Sequence, residues 1–330
     1  MGHAPVMLKE VLEALRPADG EVHLDGTYGG GGYASAFLAA ANITLLAVDR
    51  DLDAIARAEA HSTKEPRLVP LLGRFGDMDT IARDAGYPSV SGIALDLGVS
   101  SFQLDEADRG FSFMRDGPLD MRMGRAGPSA AEVVNQMDER DLSSVIFRLG
   151  EEKRARRIAK VIVQRRTERP FETTLDLAET VEAAVGGRKG ARTHPGTLTF
   201  QALRMFVNDE LGELARGLAA AERLLQPGGR LVVVSFHSLE DRMVKLFFRT
   251  RSGGLGAGSR HMPEAKSGPP PSFELTTKKA TEPSLDEIQD NPRSRSARLR
   301  FAIRTDAPAW SADPAAEFEL PAFKAKEASV

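Results

Sequence analysis

Asp25-Gly-Thr-Tyr-Gly-Gly-Gly-Gly-Tyr33 is the stretch from which the fold of this chain is read. Val22 and Leu24 precede it with the alternation of a half-buried strand, and Ala34 to Ala41 follow as good helix formers. Strand, glycine loop and helix in that order bring backbone close to a ligand, because glycine has no Cβ and accepts φ > 0. The dinucleotide pattern G-x-G-x-x-G is poorly met: an acid ends the strand, and a Thr-aromatic pair leads into the glycines.

Working outward, His3 to Leu15 reads as a short helix with apolar Val6, Leu8, Val11, Leu12 and Leu15. Ile43 to Val48, Arg67 to Leu72 and Ile93 to Leu97 read as further strands, with a helix over Asp51 to Ala60. This alternation predicts an α/β fold with a mostly parallel, Rossmann-like sheet. After Gln103 the rhythm changes to helices. Ser129 to Glu132 is a capping box, and helices are expected over Asp138–Leu149, Lys153–Arg166 and Leu175–Val185, the last stopped by Gly186-Gly187. One long amphipathic helix is expected over Leu198 to Leu225, stopped by Pro227-Gly228-Gly229, then a strand over Leu231–Val234 and a helix over Leu239–Phe248. Ser252 to Pro271 reads as a mobile surface loop, Ala297 to Ile303 as a late edge strand, and the tail beyond Pro308 shows no pattern. The expected domains are residues 1–104 and 197–308 as two parts of one α/β domain, 105–196 as an all-helical insertion, and 309–330 as a tail.

Chemistry is expected at the carboxyl ends of the parallel strands, where open α/β sheets bind ligands. Asp25 and the glycines end the first strand. Asp49 ends the second, placed to accept from two ribose hydroxyls; Phe75 follows the third, placed against an adenine; Asp96 ends the fourth. Each has a bland reading as turn, cap or core residue, but the four fall in register and point to a nucleoside-bearing cofactor. S-adenosylmethionine (AdoMet) fits better than NAD, since the phosphate-cradling glycine pattern is poor and no acid/base histidine pair is evident.

Composition narrows the rest. Hydrophobic content of 42% and charged content of 28% suit a globular protein, and with a net charge of −3 any nucleic-acid contact requires local patches. The chain has no cysteine and no histidine pair at ligand spacing, so no metal site is expected. No apolar run approaches the ~18 residues of a spanning helix, so a cytoplasmic protein without membrane contact is expected. Lys153, Arg154, Arg156, Arg157, Lys160, Arg165, Arg166 and Arg169 form a dense basic stretch, read either as a solvated helix face or as a phosphate-binding one. Arg293, Arg295, Arg298, Arg300 and Arg304 are a second cluster, and His194 and His237 read as structural.

These motifs together resemble the family of ribosomal RNA small subunit methyltransferase H. The resemblance runs over nearly the whole chain, through His3–Leu8, Asp25–Gly29, Ala47–Asp51, Gly73–Phe75, Leu95–Ser101, Arg109–Arg122, Thr199–Arg204, Val207–Leu211, Val234–Asp241 and Asn291–Ala297. The Arg109–Arg122 and Ser235–Asp241 stretches are its specific part. The resemblance implies a class I AdoMet-dependent methyltransferase with a helical substrate domain inserted after the fourth strand. It implies AdoMet held by Gly31, Gly32, Tyr33, Asp49, Phe75, Asp96 and Gln103, with Tyr33 replacing a histidine common in the family. It also implies 16S rRNA or the small subunit as partner, and N4-methylcytidine in the P-site region of the decoding centre as product; monomer or homodimer stays open.

Asp96, or a backbone carbonyl from Asp96 to Gly98, is expected to accept from the cytosine amine, and Arg154, Arg156, Arg157, Lys160, Arg165 and Arg166 to meet RNA. The Asp/Asn-Pro-Pro-Tyr/Phe signature of many amine methyltransferases is replaced here by Asp96-Leu-Gly-Val99, so a base-stacking aromatic must come from Phe102, Phe111 or Phe113. The rival readings are an NAD(P)-dependent reductase, a methyltransferase acting on another RNA base, a protein or a free nucleoside, and a non-catalytic RNA-binding factor.

Overall fold

Asp25 aligns with Ala47 of the second strand and with Ala94 of the fourth, a register that controls everything at the ligand end of the sheet. The structure is a computed structural model; it describes residues 5–124, 126–188, 190, 193–254, 269–311 and 318. The chain forms two compact units, one of Met1–Gly98 with Leu211–Phe318, the other, over its described residues, Val99–Glu210.

In the first unit the elements run α1 (Leu8–Leu15), β1 (Val22–Asp25), α2 (Gly32–Ala40), β2 (Thr44–Asp49), α3 (Leu52–Ser62), β3 (Leu68–Leu72), α4 (Met78–Asp84) and β4 (Val90–Asp96). The second unit holds α5 (Ser101–Asp105), α6 (Ala130–Gln136), α7 (Glu139–Gly150), α8 (Ala155–Arg165), α9 (Thr174–Val185) and α10 (Thr197–Val207). The chain then re-enters the first unit with α11 (Glu210–Leu224), β5 (Leu225–Ser235), α12 (Ser238–Arg251), β6 (Phe273–Glu274), α13 (Leu285–Asp290) and β7 (Arg298–Arg304).

Among the described residues the strands make one sheet of order β3-β2-β1-β4-β5-β7-β6, with β1 to β5 parallel and β7 antiparallel to β5. The order reverses between β1 and β4, the kind of switch point outside which a crevice opens. Leu45, Leu46, Ala47 and Val48 are fully buried, as a central parallel strand covered on both faces requires. Since Asp25 pairs with Ala47 and Ala94, Asp49 and Asp96 each stand two residues, roughly 6–7 Å, beyond the end of β1 on either side. The glycine loop is set between two acids.

Three expectations need correction here. β7 is not an edge strand: Phe273 of the two-residue β6 pairs with Arg304 outside it, a short edge that limits further pairing. The single helix expected over 198–225 is two, α10 and α11, because Asp209 takes φ 50 and Asn208 turns its side chain to the loop ahead of α6. β5 begins at Leu225 rather than Leu231; an irregularity opposite Val90–Gly92 absorbs Pro227-Gly228-Gly229, with Gly228 at φ 82. The expected loop over 252–271 lies mostly outside the described residues.

The unit boundaries fall at Gly98/Val99 and Glu210/Leu211, not at 104/105 and 196/197. The physical reason is packing: Val99 and Leu104 pack against, and Phe200 and Leu203 lie within, the apolar core that also holds Leu142, Ile146, Ile158 and Ile162. The Arg109–Arg122 stretch is a fixed loop in this unit. Gly110 sits at φ 69 against the Pro118 carbonyl, where any Cβ would collide, and Asn208 accepts from Met123 N–H (2.8 Å) and donates to the Met121 carbonyl (2.7 Å).

Candidate active site

Between Gly26 and Gly29 the loop hydrogen-bonds alternately to the two neighbouring strands. Gly26 N–H donates to the Ala94 carbonyl (3.0 Å) and Tyr28 N–H to the Val48 carbonyl (3.2 Å). Asp96 N–H donates to Thr27 Oγ1 at 2.7 Å, and Gly29 N–H to Asp49 Oδ2 at 2.8 Å. Gly31 follows at φ 75 as the residue before α2, where a Cβ would lie 2.5 Å from the Tyr28 hydroxyl; a Cβ on Gly32 would lie 2.5 Å from Pro5 Cγ. Both glycines are required by space.

Asp25 is 1% exposed, and its Oδ1 accepts from Thr27 N–H at 3.0 Å. Loss of hydration, together with the nearby Asp49, pushes its carboxyl up to about 7. Asp49 accepts one backbone N–H on each oxygen, from Gly29 and from Asp51 (2.8 Å). A carboxylate has about four acceptor positions, so two remain for a ligand's hydroxyls. Burial raises its pKa as well. Asp96 is held well above the ordinary carboxylate range by burial, with Asp25 and Glu240 adding repulsion, and its buried Oδ1 has no hydrogen-bond partner among the described residues. That oxygen is an open position of the kind a ligand fills.

Phe75 is fixed by absence of side chains around it. Its Cβ lies 3.2 Å from where a Gly26 Cβ would be, and its ring occupies the space a Gly217 Cβ would need on α11. Sequence reading missed Gly217, whose only signal was a glycine inside a helix. It also missed Glu213, 1% exposed on α11, which pairs with Arg50 and with Arg74 (3.5 Å) and so ties the ends of β2 and β3 to that helix. Thr27 stood inside the quoted loop, but its link to Asp96 needed three-dimensional register to see.

Tyr33 is committed elsewhere. Its hydroxyl donates to the Val6 carbonyl, its ring stacks on Phe37 at 5.8 Å, and it is 5% exposed, so the side chain is a core group and a ligand would meet only its backbone. Gln103 belongs to the other unit, where it completes a capping box with Ser100 on α5. The structure therefore brings Gly31, Gly32, Asp49, Phe75 and Asp96 into one unit and leaves Gln103 in the second.

The basic stretch divides. On α8, Ile158, Ala159 and Ile162 face the core, while Arg156, Arg157 and Lys160 are exposed on the opposite arc. Arg154 is exposed with one donor on the Val185 carbonyl (2.9 Å). Arg165 is bound to Asp176 and lies 4.6 Å from the Phe171 ring centre, and Arg166 donates to the carbonyls of Val134 (2.7 Å) and Met137 (2.6 Å). The last two cations serve the fold of the unit. In the second cluster Arg300 pairs with Asp241 (2.7 Å), and Arg304 is buried among carbonyls of Glu222, Ser272 and Ala307.

Of the stacking candidates, Phe111 is in the core, Phe113 packs on His194 and Phe200 (4.6 and 4.7 Å), and Phe102 is 46% exposed. His194 accepts from Gly196 N–H (2.9 Å) and His237 caps α12. Among the described residues no helix is long and apolar enough to cross a membrane.

Residues 1–305 match the model of a family described as the MraW methylase family. A protein of Hyphomonas neptunium named ribosomal RNA small subunit methyltransferase H is 66% identical over 328 residues, covering 99% of this chain and 96% of that one. Proteins of the same name from Caulobacter vibrioides and Paramagnetospirillum magneticum are each 55% identical over 310 residues, covering 94% and 93% of this chain and 98% and 97% of theirs. A solved rRNA methylase of Streptococcus thermophilus superposes with a TM-score of 0.35 at 11% identity, over 90% of this chain and 93% of that one, too loosely to add to these.

Proposed function

The chain belongs to the MraW methylase family, and from that premise we propose that it transfers a methyl group from AdoMet to the exocyclic N4 amine of a cytidine in the P-site region of the decoding centre of 16S rRNA. A methylase rather than a reductase follows from the family. The small-subunit RNA follows from the names its relatives carry.

The residues present suit the donor. Asp49 has acceptor positions left for two ribose hydroxyls, Phe75 stands beside the glycine loop where a purine would pack, and Gly31 and Gly32 leave space for nothing larger than hydrogen. Gln103 is a proposed contact on the family resemblance alone. When bound, AdoMet supplies an electrophilic methyl on a cationic sulfur.

The chain's own task is to prepare the amine. A cytosine amine shares its lone pair with the ring and attacks poorly; an acceptor on its hydrogens returns electron density to nitrogen and fixes its approach. The observation that carries this reading is the open Oδ1 of Asp96 at the carboxyl end of β4. Arg154, Arg156, Arg157 and Lys160 hold RNA phosphates by charge, and Arg165 and Arg166 shape the unit that presents them. Asp96→Asn tests the assignment: methyl transfer into small-subunit RNA should fall by about two to four orders of magnitude, and full turnover at unchanged AdoMet affinity would remove Asp96 from the mechanism.

A further inference from the structure

Three buried acids of the sheet unit face arginines. Glu213 faces Arg50 and Arg74, Glu222 faces Arg251, and Asp79 faces Arg83 and Arg223. Asp25 and Asp96 are different: among the described residues neither has an ion pair, and the charges bearing on them are other acids. Asp49 on β2 acts on Asp25; Asp25 on β1 and Glu240 on α12 act on Asp96. Burial pushes the phenols of Tyr28 and Tyr33 up, with Asp25 adding to both and Asp96 to Tyr33. Arg57 on α3 acts on Asp49 and Tyr28 and donates to the Gly29 carbonyl (3.2 Å).

Buried Glu240 faces His237 (3.1 Å) and buried Asp51 caps α3. Asp25, fully buried, and Asp96, half-buried with an unpartnered Oδ1, are instead both tied to Thr27 and have no counter-charge among the described residues, at the switch point of the sheet. Burying like charges without a cation is unfavourable, and it is retained where something else supplies the charge. We propose that Asp25 and Asp96 together are the counter-charge for a cationic ligand, with Asp25 setting how strongly this chain prefers a sulfonium to the neutral thioether left after methyl transfer. The inference rests on the methyl-donor reading above and deepens it. AdoMet and S-adenosylhomocysteine share adenosine, ammonium and carboxylate; they differ in the methyl and in the charge on sulfur. A site that is attracted to that charge holds the donor and lets the spent product leave.

Proton balance follows. Without a cation the pair keeps a proton, since two adjacent buried acids resist double ionisation. A sulfonium favours the ionised pair, so its binding releases that proton to solvent, while the thioether does not require the release. Ionised, Asp96 is also in the state that accepts from an amine.

The test is isothermal titration calorimetry on the full chain with AdoMet, with sinefungin, in which an amine carries the charge in place of the sulfonium, and with S-adenosylhomocysteine. Titrations at about pH 6 and about pH 8, in buffers of different ionisation enthalpy, count the protons released. Both cations should bind about tenfold or more tightly than the thioether at the higher pH, release protons at the lower, and weaken about tenfold between the two; the thioether should be nearly flat. Asp25→Asn keeps an oxygen for Thr27 N–H and should erase most of the cation preference while the thioether binds as before. If Asp25→Asn does not fold, Asp96→Asn serves for the same ratio. Equal affinities for all three ligands, or a preference untouched by the substitution, overturn this proposal alone. Failure of all three to bind overturns the methyl-donor reading and this proposal with it.

Discussion

Asp96 N–H donates to Thr27 Oγ1 at 2.7 Å, so the end of β4 is held by a side chain from the loop that ends β1. The carboxylate proposed to accept from the amine and the glycine loop are thus one mechanical unit. Thr27→Val keeps the shape and removes the acceptor, leaving the N–H unpaired. Unfolding free energy should drop by about 1–3 kcal/mol in urea titrations, and AdoMet affinity should fall with it. Thr27→Ser should restore both. A Thr27→Val protein with wild-type AdoMet affinity would show that the link does not position the site.

Gly217 offers a cleaner separation of stability from binding. Alanine in a helix interior is favoured over glycine by about 1 kcal/mol, but here its Cβ would enter the ring of Phe75. Gly217→Ala should therefore lower AdoMet affinity by about tenfold or more through a displaced Phe75, as calorimetry can read. Stabilisation with unchanged binding would place Phe75 outside the cofactor pocket.

Glu213, with Arg50 and Arg74, is a buried ionic group whose disruption is costly. Glu213→Gln removes the buried carboxylate that Arg50 and Arg74 share and should cost about 3–5 kcal/mol, measured by denaturant unfolding. The double substitution with Arg50→Met should recover a large part of that loss.

Asp25 makes stability depend on pH in a defined direction. Its folded-state pKa is raised from 3.8 to about 7, so its contribution is fully present below about pH 4 and is lost as pH rises through about 7, a change of about 4 kcal/mol. Asp25→Asn should flatten that stretch of the stability profile and leave the variant the more stable protein at about pH 8. A wild-type profile that rises between those values relative to the variant would contradict the assignment.

The arginines of the helical unit should separate by role. Charge reversal at Arg156 and Arg157 should weaken RNA binding and reduce its salt dependence without altering the melting temperature. Arg166→Ala should do the opposite, destabilising the unit by removing donors from the Val134 and Met137 carbonyls.

What was legible in the sequence follows period and punctuation. Asp25, Asp49 and Asp96 were found because each ends an apolar run, and Ser129 with Glu132 announced a helix start that the structure contains. Illegible were relations set by register or by missing atoms: Thr27 to Asp96, Gly217 to Phe75, Glu213 to two arginines. Asn208 broke an expected long helix because its side chain serves Met121 and Met123, more than eighty residues earlier, which no local pattern reports. Density of charge in α8 was visible, but its division between exposed Arg156 and Arg157 and committed Arg165 and Arg166 depends on which neighbours lie within reach. The tail read as patternless includes Trp310, whose ring covers buried Arg251 at 4.4 Å.

The central claim is the transfer of a methyl group to a cytidine amine of small-subunit RNA. Its most direct measurement is mass spectrometry of nucleosides from 16S rRNA of cells lacking the gene, compared with the same cells carrying the chain or its Asp96→Asn variant. The account predicts that N4 methylation at one decoding-centre cytidine disappears in the deletion, returns with the chain, and does not return with the variant. An unchanged nucleoside profile in the deletion strain, or full restoration by the variant, would contradict it.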